Sequence, residues 1–246
     1  MKRFFALAAF GLLVLSTPAN AQLGLLIPKE KTAVKEGFSF PAEGEIRIVV
    51  LRPDVAVGEM SLGGLNQPNA DWTGAARKNM ADALQGTKAS DKTKLNFMPE
   101  LQGDDETTMA EYRALFKNVT DAVVVHKLFP GQRLPTKKEA FDWSLGKGVA
   151  KLGELGGGDY GLFFYSEDRY TSATGKVMKF LVGGPPPVHI GYAGLVDLKT
   201  GDLVWINADI EMGGDPREVE GAKKRVKQLL EGFPLRGSQP VLLTWE

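Results

Sequence analysis

No cysteine occurs anywhere in this chain of 246 residues. That absence excludes disulfide stapling, thiol catalysis and cysteine-ligated metals. It also excludes a lipid anchor on a cysteine at the start of an exported chain. Histidine is scarce, with only His126 and His189. Neither has a second histidine or a carboxylate at ligand spacing, so no metal and no cofactor are expected. Neither sign of charge is in excess: 30 basic residues face 30 acidic ones. Such a balance offers no electrostatic reason for a nucleic-acid partner. Long apolar runs are absent after the first residues, so no integral membrane segment is expected in the mature chain.

The exception at the start is informative. Lys2 and Arg3 precede an apolar run from Phe4 to Leu15, followed by Ser16, Thr17 and Pro18, and then Ala19-Asn20-Ala21. This is the three-part pattern of a secretory signal peptide, with cleavage expected after Ala21. The run is too short for a permanent span. Removing it leaves 28 basic side chains against 30 acidic. A periplasmic location follows as the expectation, with secretion as the alternative. The chain then divides into a signal peptide at 1–21, an N-terminal arm at 22–44 and one α/β domain at 45–246.

Along that domain, strands and helices alternate. The arm reads as extended, with a short strand at Leu23–Ile27. Glu45–Leu51 is β-branched and stopped by Pro53, as a strand should be. Val55–Pro68 reads as a glycine-containing loop. Trp72, Ala76, Met80 and Leu84 recur every four residues and predict a helix capped at Asn69 or Asp71 and stopped at Gly86. Lys94–Met98 predicts a strand. Thr108 and Glu111 have capping-box spacing ahead of a helix to about Lys127. Thr136 and Glu139 repeat it ahead of Phe141, Leu145, Val149 and Leu152, with Gly156–Gly158 as the stop. Tyr160–Tyr165 is apolar enough for a central strand. Ile190–Leu198 and Leu203–Met212 flank Lys199-Thr200-Gly201-Asp202, the signature of a hairpin. Asp215-Pro216 predicts a helix start, and Val219, Ala222, Val226, Leu229, Leu230 and Phe233 its apolar face. The tail Pro240–Glu246 is apolar enough to add an edge strand. The order argues for a mixed α/β fold: a single mixed sheet flanked by helices, with a late β-hairpin.

Tests for chemistry turn up little. Ser144 lacks the glycine elbow of a serine hydrolase. Ser166 ends the central strand but is followed by Glu167-Asp168 rather than a tight glycine turn. The glycine clusters lack phosphate-loop spacing. His189, Tyr170 and Tyr192 lie around the Gly183–Pro187 stretch and are candidate binding residues, because aromatic residues in such places favour interfaces. Ordinary packing is the alternative. Glu167, Asp168, Asp209 and Glu211 form an alternative acid cluster that would serve acid–base chemistry or a cation if it converged.

The second half carries a resemblance. Asp159-Tyr160-Gly161-Leu162-Phe163, followed by Leu195-Val196-Asp197-Leu198-Lys199-Thr200-Gly201-Asp202-Leu203-Val204-Trp205, resembles a group of bacterial envelope proteins that includes CsgG, LpoB and the N-terminal domain of TolB. The Ile46–Leu51 strand and the Trp72 helix fit the same layout over 44–232. The resemblance implies an anticodon-binding-domain-like sheet and a non-enzymatic binding or accessory role. Its expected partner is an envelope protein or a cell-wall component. A secreted carboxylate-dependent hydrolase is the alternative from a different class.

Overall fold

The computed structural model describes residues 31–61, 65–129, 132–137, 140–171 and 187–243. Signal-peptide residues 1–21, the proposed strand 23–27, the Gly183–Pro186 stretch and the last three tail residues lie outside them.

Among the described residues, eight strands form one mixed sheet: β1 (Thr32–Val34), β2 (Ile46–Val50), β3 (Asp54–Met60), β4 (Asn66–Pro68), β6 (Thr93–Phe97), β7 (Tyr160–Thr171), β8 (Val188–Asp197) and β9 (Leu203–Asp209). The remaining strands make two small ribbons. One is a late hairpin, β10 (Leu235–Arg236) with β11 (Gln239–Pro240). The other joins β5 (Lys88–Ala89) to β12 (Leu242–Leu243). The tail thus does add a strand, but to a ribbon rather than to the main sheet.

The main sheet runs β1-β9-β8-β7-β2-β6. Its axis is β7, longer than the apolar run that announces it. Along one side β7 pairs antiparallel with β8, Tyr160 opposite Asp197 through Arg169 opposite Val188. Along the other side two strands share it in parallel, β2 against Tyr160–Leu162 and β3 against Tyr165–Thr171. β3 corrects the expectation of a loop at 55–68. Gly58 and the polar residues around it mask the pattern, but Val55, Val57 and Met60 bury their side chains in the strand. The hairpin expected at 190–212 is present as β8 and β9.

Helices cover both faces. α1 (Ala70–Gln85) and α4 (Val219–Leu229) pack on one; α2 (Gly103–Val123), extended by a π-helical turn at Val124–Leu128, and α3 (Ala150–Gly156) pack on the other. Asn69 caps α1, its Oδ1 accepting from the Trp72 amide at 3.0 Å. α2 starts five residues before the capping-box spacing, where Asp104, Asp105 and Glu106 in the first turn suit the helix dipole. The helix expected from 136 is delayed. Phe141–Gly146 is non-helical, a 3₁₀ turn spans Lys147–Val149, and only then does α3 begin. Gly146 at φ 79° accounts for the delay, a conformation that costs glycine little. Phe141, Leu145, Val149 and Leu152 are buried all the same. Asp215 likewise opens a turn, not the helix; α4 follows from Glu218 as cap, and Val219 is exposed.

Alternation along β7 sorts the two cores. Leu162 and Phe164 join Ile48, Val57, Met80, Leu195, Trp205 and Val226 under α1 and α4. Phe163 and Tyr165 join Val49, Phe116, Leu152 and Ile206 under α2 and α3. Gly194 of β8 lies under Phe116, where an added Cβ would come within 2.5 Å of the ring. Overfilling at this packed point is expected to make Gly194→Ala about 1–3 kcal/mol less stable in urea unfolding. An unchanged midpoint would contradict the close packing of α2 on β8.

Candidate functional site

Beyond Phe164 the β7 side chains facing α1 and α4 turn from apolar to polar: Ser166, Asp168 and Tyr170 continue the alternation that Leu162 and Phe164 begin. Asp168 is fully buried, and so is Arg225 of α4. Arg225 sits among Ala222, Val226 and Leu229, on the buried stripe of its helix. It crosses to the sheet edge-on. Nη2 donates to Asp168 Oδ1 at 2.5 Å and Nη1 to Oδ2 at 3.0 Å. Nε and Nη2 both donate to the Gly214 carbonyl at 2.9 Å, and Nη1 reaches Ser166 Oγ at 3.4 Å. All five guanidinium donors are therefore committed, the condition under which a buried ion pair is tolerated.

Asp168 has a third partner. His189 stands opposite it in the β7–β8 register, and its Nδ1 lies 2.6 Å from Asp168 Oδ1. A carboxylate held bidentate by an arginine is an acceptor only, so the proton on this bond belongs to Nδ1. In the neutral ring Nε2 is then the acceptor. The imidazole is 28% exposed, so the pair carries a buried anchor out to the surface.

A row of flat groups continues from there. The His189 and Tyr170 rings lie 5.1 Å apart, and Tyr170 meets Trp72 edge-on at 6.2 Å. Into this corner the Arg217 guanidinium stacks, 4.1 Å from the Tyr170 centroid and 4.4 Å from that of Trp72. Such contacts are attractive through the ring quadrupoles. Arg217 also forks onto Asp215, Nη2 to Oδ2 at 2.6 Å and Nε to Oδ1 at 2.9 Å. The turn that carries both is tied to α1 by Asn79, whose side chain donates to the carbonyls of Pro216 and Arg217. Trp72, Tyr170, His189 and Arg217 are all half-buried, each with one surface against the fold and one toward solvent.

The charges perturb one another. The Arg217 guanidinium holds the Asp215 carboxyl at about 2. Burial raises the Tyr170 phenol, and Asp168 and Asp215 raise it further. Its hydroxyl is buried beside Asp215 without a hydrogen bond of good geometry.

The structure brings His189 and Tyr170 together but not Tyr192. Tyr192 is buried on the opposite face, stacked on Tyr165 at 5.6 Å. Burial and Asp121 raise its phenol. The four carboxylates are likewise distributed rather than gathered. Glu167 lies on the Tyr192 face, accepting from Tyr165 Oη at 2.8 Å and from Arg169 Nε at 2.7 Å. Asp209 pairs with Lys31 at 2.8 Å and accepts from the Glu211 amide, while Glu211 is exposed. Adjacent residues of a strand face opposite ways, which separates Glu167 from Asp168. His126 belongs to the π turn, with Nδ1 2.8 Å from the Gln132 carbonyl. Among the described residues no group of three or more histidine, aspartate or glutamate side chains could hold a metal ion. No helix among them is long and apolar enough to cross a membrane.

No protein-family model and no curated protein matches the chain. Solved structures give distant likenesses. One is the PelC dodecamer from Paraburkholderia phytofirmans, 14% identical over 81% of this chain and 94% of that one, with a TM-score of 0.34. Another is the LpoB C-terminal domain from Salmonella enterica, 14% identical over 72% and 87%, at 0.24. A third is lipoprotein GNA1162 from Neisseria meningitidis, 12% identical over 78% and 99%, at 0.29. Function must therefore be sought in the residues of this chain.

Three of those residues escape sequence reasoning. Trp72 reads as core because it opens the four-residue repeat of α1. Arg217 reads as the first turn of a helix. Arg225 leaves the one usable signal, a basic residue three after Ala222 and four before Leu229, inside an otherwise apolar stripe.

The depressed Asp215 carboxyl has a pH consequence. Its ordinary value is 3.8 and its folded value about 2, so it contributes stability above 3.8 that is lost as pH falls toward about 2. The contribution is small because the pair is partly exposed and screened. Asp215→Asn is expected to flatten the acid limb of the stability–pH curve in that window. An Asp215 carboxyl that titrates near 3.8 by NMR would contradict the fork.

Proposed function

We propose that this chain is an exported accessory protein of a bacterial cell envelope, cut after Ala21, that acts by docking rather than by catalysis. The α/β domain at 45–246, together with the edge strand Thr32–Val34 that the 22–44 arm lends to its sheet, would be the docking unit. The observation that supports docking is the half-buried row of His189, Tyr170, Arg217 and Trp72. Tryptophan, tyrosine and arginine are the residues in which interface energy concentrates, most of all where they are held rigid and partly desolvated. Here the row is fixed from below by Asp168 and Arg225 and from the side by Asn79 and Asp215. Rigid presentation lowers the entropy cost of association. Its charged groups are committed to one another, which suits recognition by shape and π contact. The basic start, short apolar run and Ala19-Asn20-Ala21 support export, and the strand-and-hairpin resemblance supports the envelope.

Two measurements test this reading. N-terminal sequencing of the protein from its native cells should begin at Gln22; a start at Met1 would remove export. Crosslinking of the full chain in intact envelopes should give adducts that fall at least tenfold in Trp72→Ala and Arg217→Ala. The control Lys78→Ala, on the outer side of α1, should keep them. Adducts unchanged in both row variants would overturn the docking face.

A further inference from the structure

The chemistry of that face narrows what it can hold. Resting on the docking reading above, we propose that the row binds an uncharged glycan strand of the cell wall. A sugar ring would pack on the solvent-facing side of the row, whose Trp72–Tyr170 corner Arg217 already fills, and one hydroxyl would donate to His189 Nε2.

Three features carry this. The first is charge. Among the described residues, Arg217 is matched by Asp215 at 2.6 Å and Arg225 by Asp168 at 2.5 Å, so the two guanidinium groups that touch the row each already hold an anion. A charged ligand would lose hydration here without gaining a counter-ion, a larger loss than a neutral ligand meets. The second is the direction of the imidazole. Asp168 takes the proton side of the ring, so the neutral ring turns an acceptor toward a ligand, and the ligand must bring an O–H or N–H. The third is the lack of a backbone docking edge at this point. Asp168 of β7 is paired with Val57 on one side and His189 on the other, and His189 itself bridges onward to Glu211. Strand addition, the common way of capturing an extended peptide, has no open ladder there. Recognition must pass through side chains: aromatic surface with one acceptor at its rim. A pyranose matches that arrangement, having an apolar C–H face and hydroxyls around its edge.

The test uses the full mature chain with chitotetraose as an uncharged probe, polygalacturonate as an acidic one, a proline-rich peptide as a protein mimic, and purified cell-wall sacculi. Chitotetraose and sacculi should bind, and the acidic polymer and the peptide should not. Trp72→Leu and His189→Leu should each weaken chitotetraose binding about tenfold. His189→Gln, which can still present an acceptor, should weaken it less. Because Trp72→Leu could also loosen α1, the wild-type His189 ring is followed by long-range ¹H–¹⁵N NMR. At a pH where the ring is neutral, its Nε2 resonance should start as the unprotonated nitrogen and shift on adding chitotetraose, which a merely structural histidine would not do. Preference for the acidic polymer or the peptide, an unmoved Nε2 signal, or a protonated Nε2 with hydrogen-free Nδ1 would each overturn the proposal. Chitotetraose binding without retention on sacculi would overturn the cell-wall source. Envelope crosslinks that depend on Trp72 alongside failure of every glycan would reject this inference and leave the docking reading standing.

Discussion

A fully buried ion pair between Asp168 and Arg225 is the constraint on which the half-buried aromatic face depends. A charge taken out of water is tolerated only when its partner and its remaining hydrogen bonds are all in place. That requirement fixes several elements at once. β7 must run on past its apolar half to deliver Asp168. α4 must turn its basic residue inward. The Gly214 carbonyl must stand where it can take two donors. His189 follows, because a carboxylate in this setting accepts from the imidazole and sets which nitrogen faces out.

From that anchor the rest of the face is assembled by weaker, partly exposed contacts. Tyr170 is the next residue of the same β7 face after Asp168. It meets Trp72 from the first turn of α1 and Arg217 from the turn ahead of α4. Each contact alone is worth about 1 kcal/mol or less at a half-exposed site. Together they join a strand, a helix start and a turn. On the other side of the sheet the same alternation makes a different cluster, with Tyr165, Glu167 and Arg169 bonded to one another. One strand thus carries two polar endings, and among the described residues the α1–α4 side ends in a half-exposed aromatic row.

Much of the fold is legible in the sequence. The β2 strand, α1 with its Asn69 cap, β6, the core of β7 and the β8–β9 hairpin all carry local signals that tertiary packing reinforces. What is lost has identifiable causes. β3 is hidden because Gly58 breaks the short alternation that Val55 and Val57 begin, and a glycine-containing stretch reads as a loop. The helix expected from Thr136 begins only at Ala150 because apolar spacing alone cannot distinguish a helix from a buried extended segment; Phe141 and Leu145 are core residues without being helical. At the site, His189 and Tyr170 stand out as polar aromatics beside a turn-rich stretch. Tyr192 does too, yet its odd spacing from His189 sends it to the other face. Arg217 looks like ordinary surface charge in the sequence, and Arg225 shows only as a basic residue inside an apolar stripe. Only the packing of α4 onto β7 reveals that one is buried and the other stacked.

The most direct test of this account is a double-mutant cycle on the anchor, read by urea unfolding. Arg225→Met alone should cost about 3–5 kcal/mol, because it strands Asp168 without its counter-ion. Asp168→Leu with Arg225→Met should recover at least about 2 kcal/mol of the summed single losses, since the two residues couple directly. Strictly additive losses, or a harmless Arg225→Met, would mean that no buried pair holds the face, and the account would fail at its base.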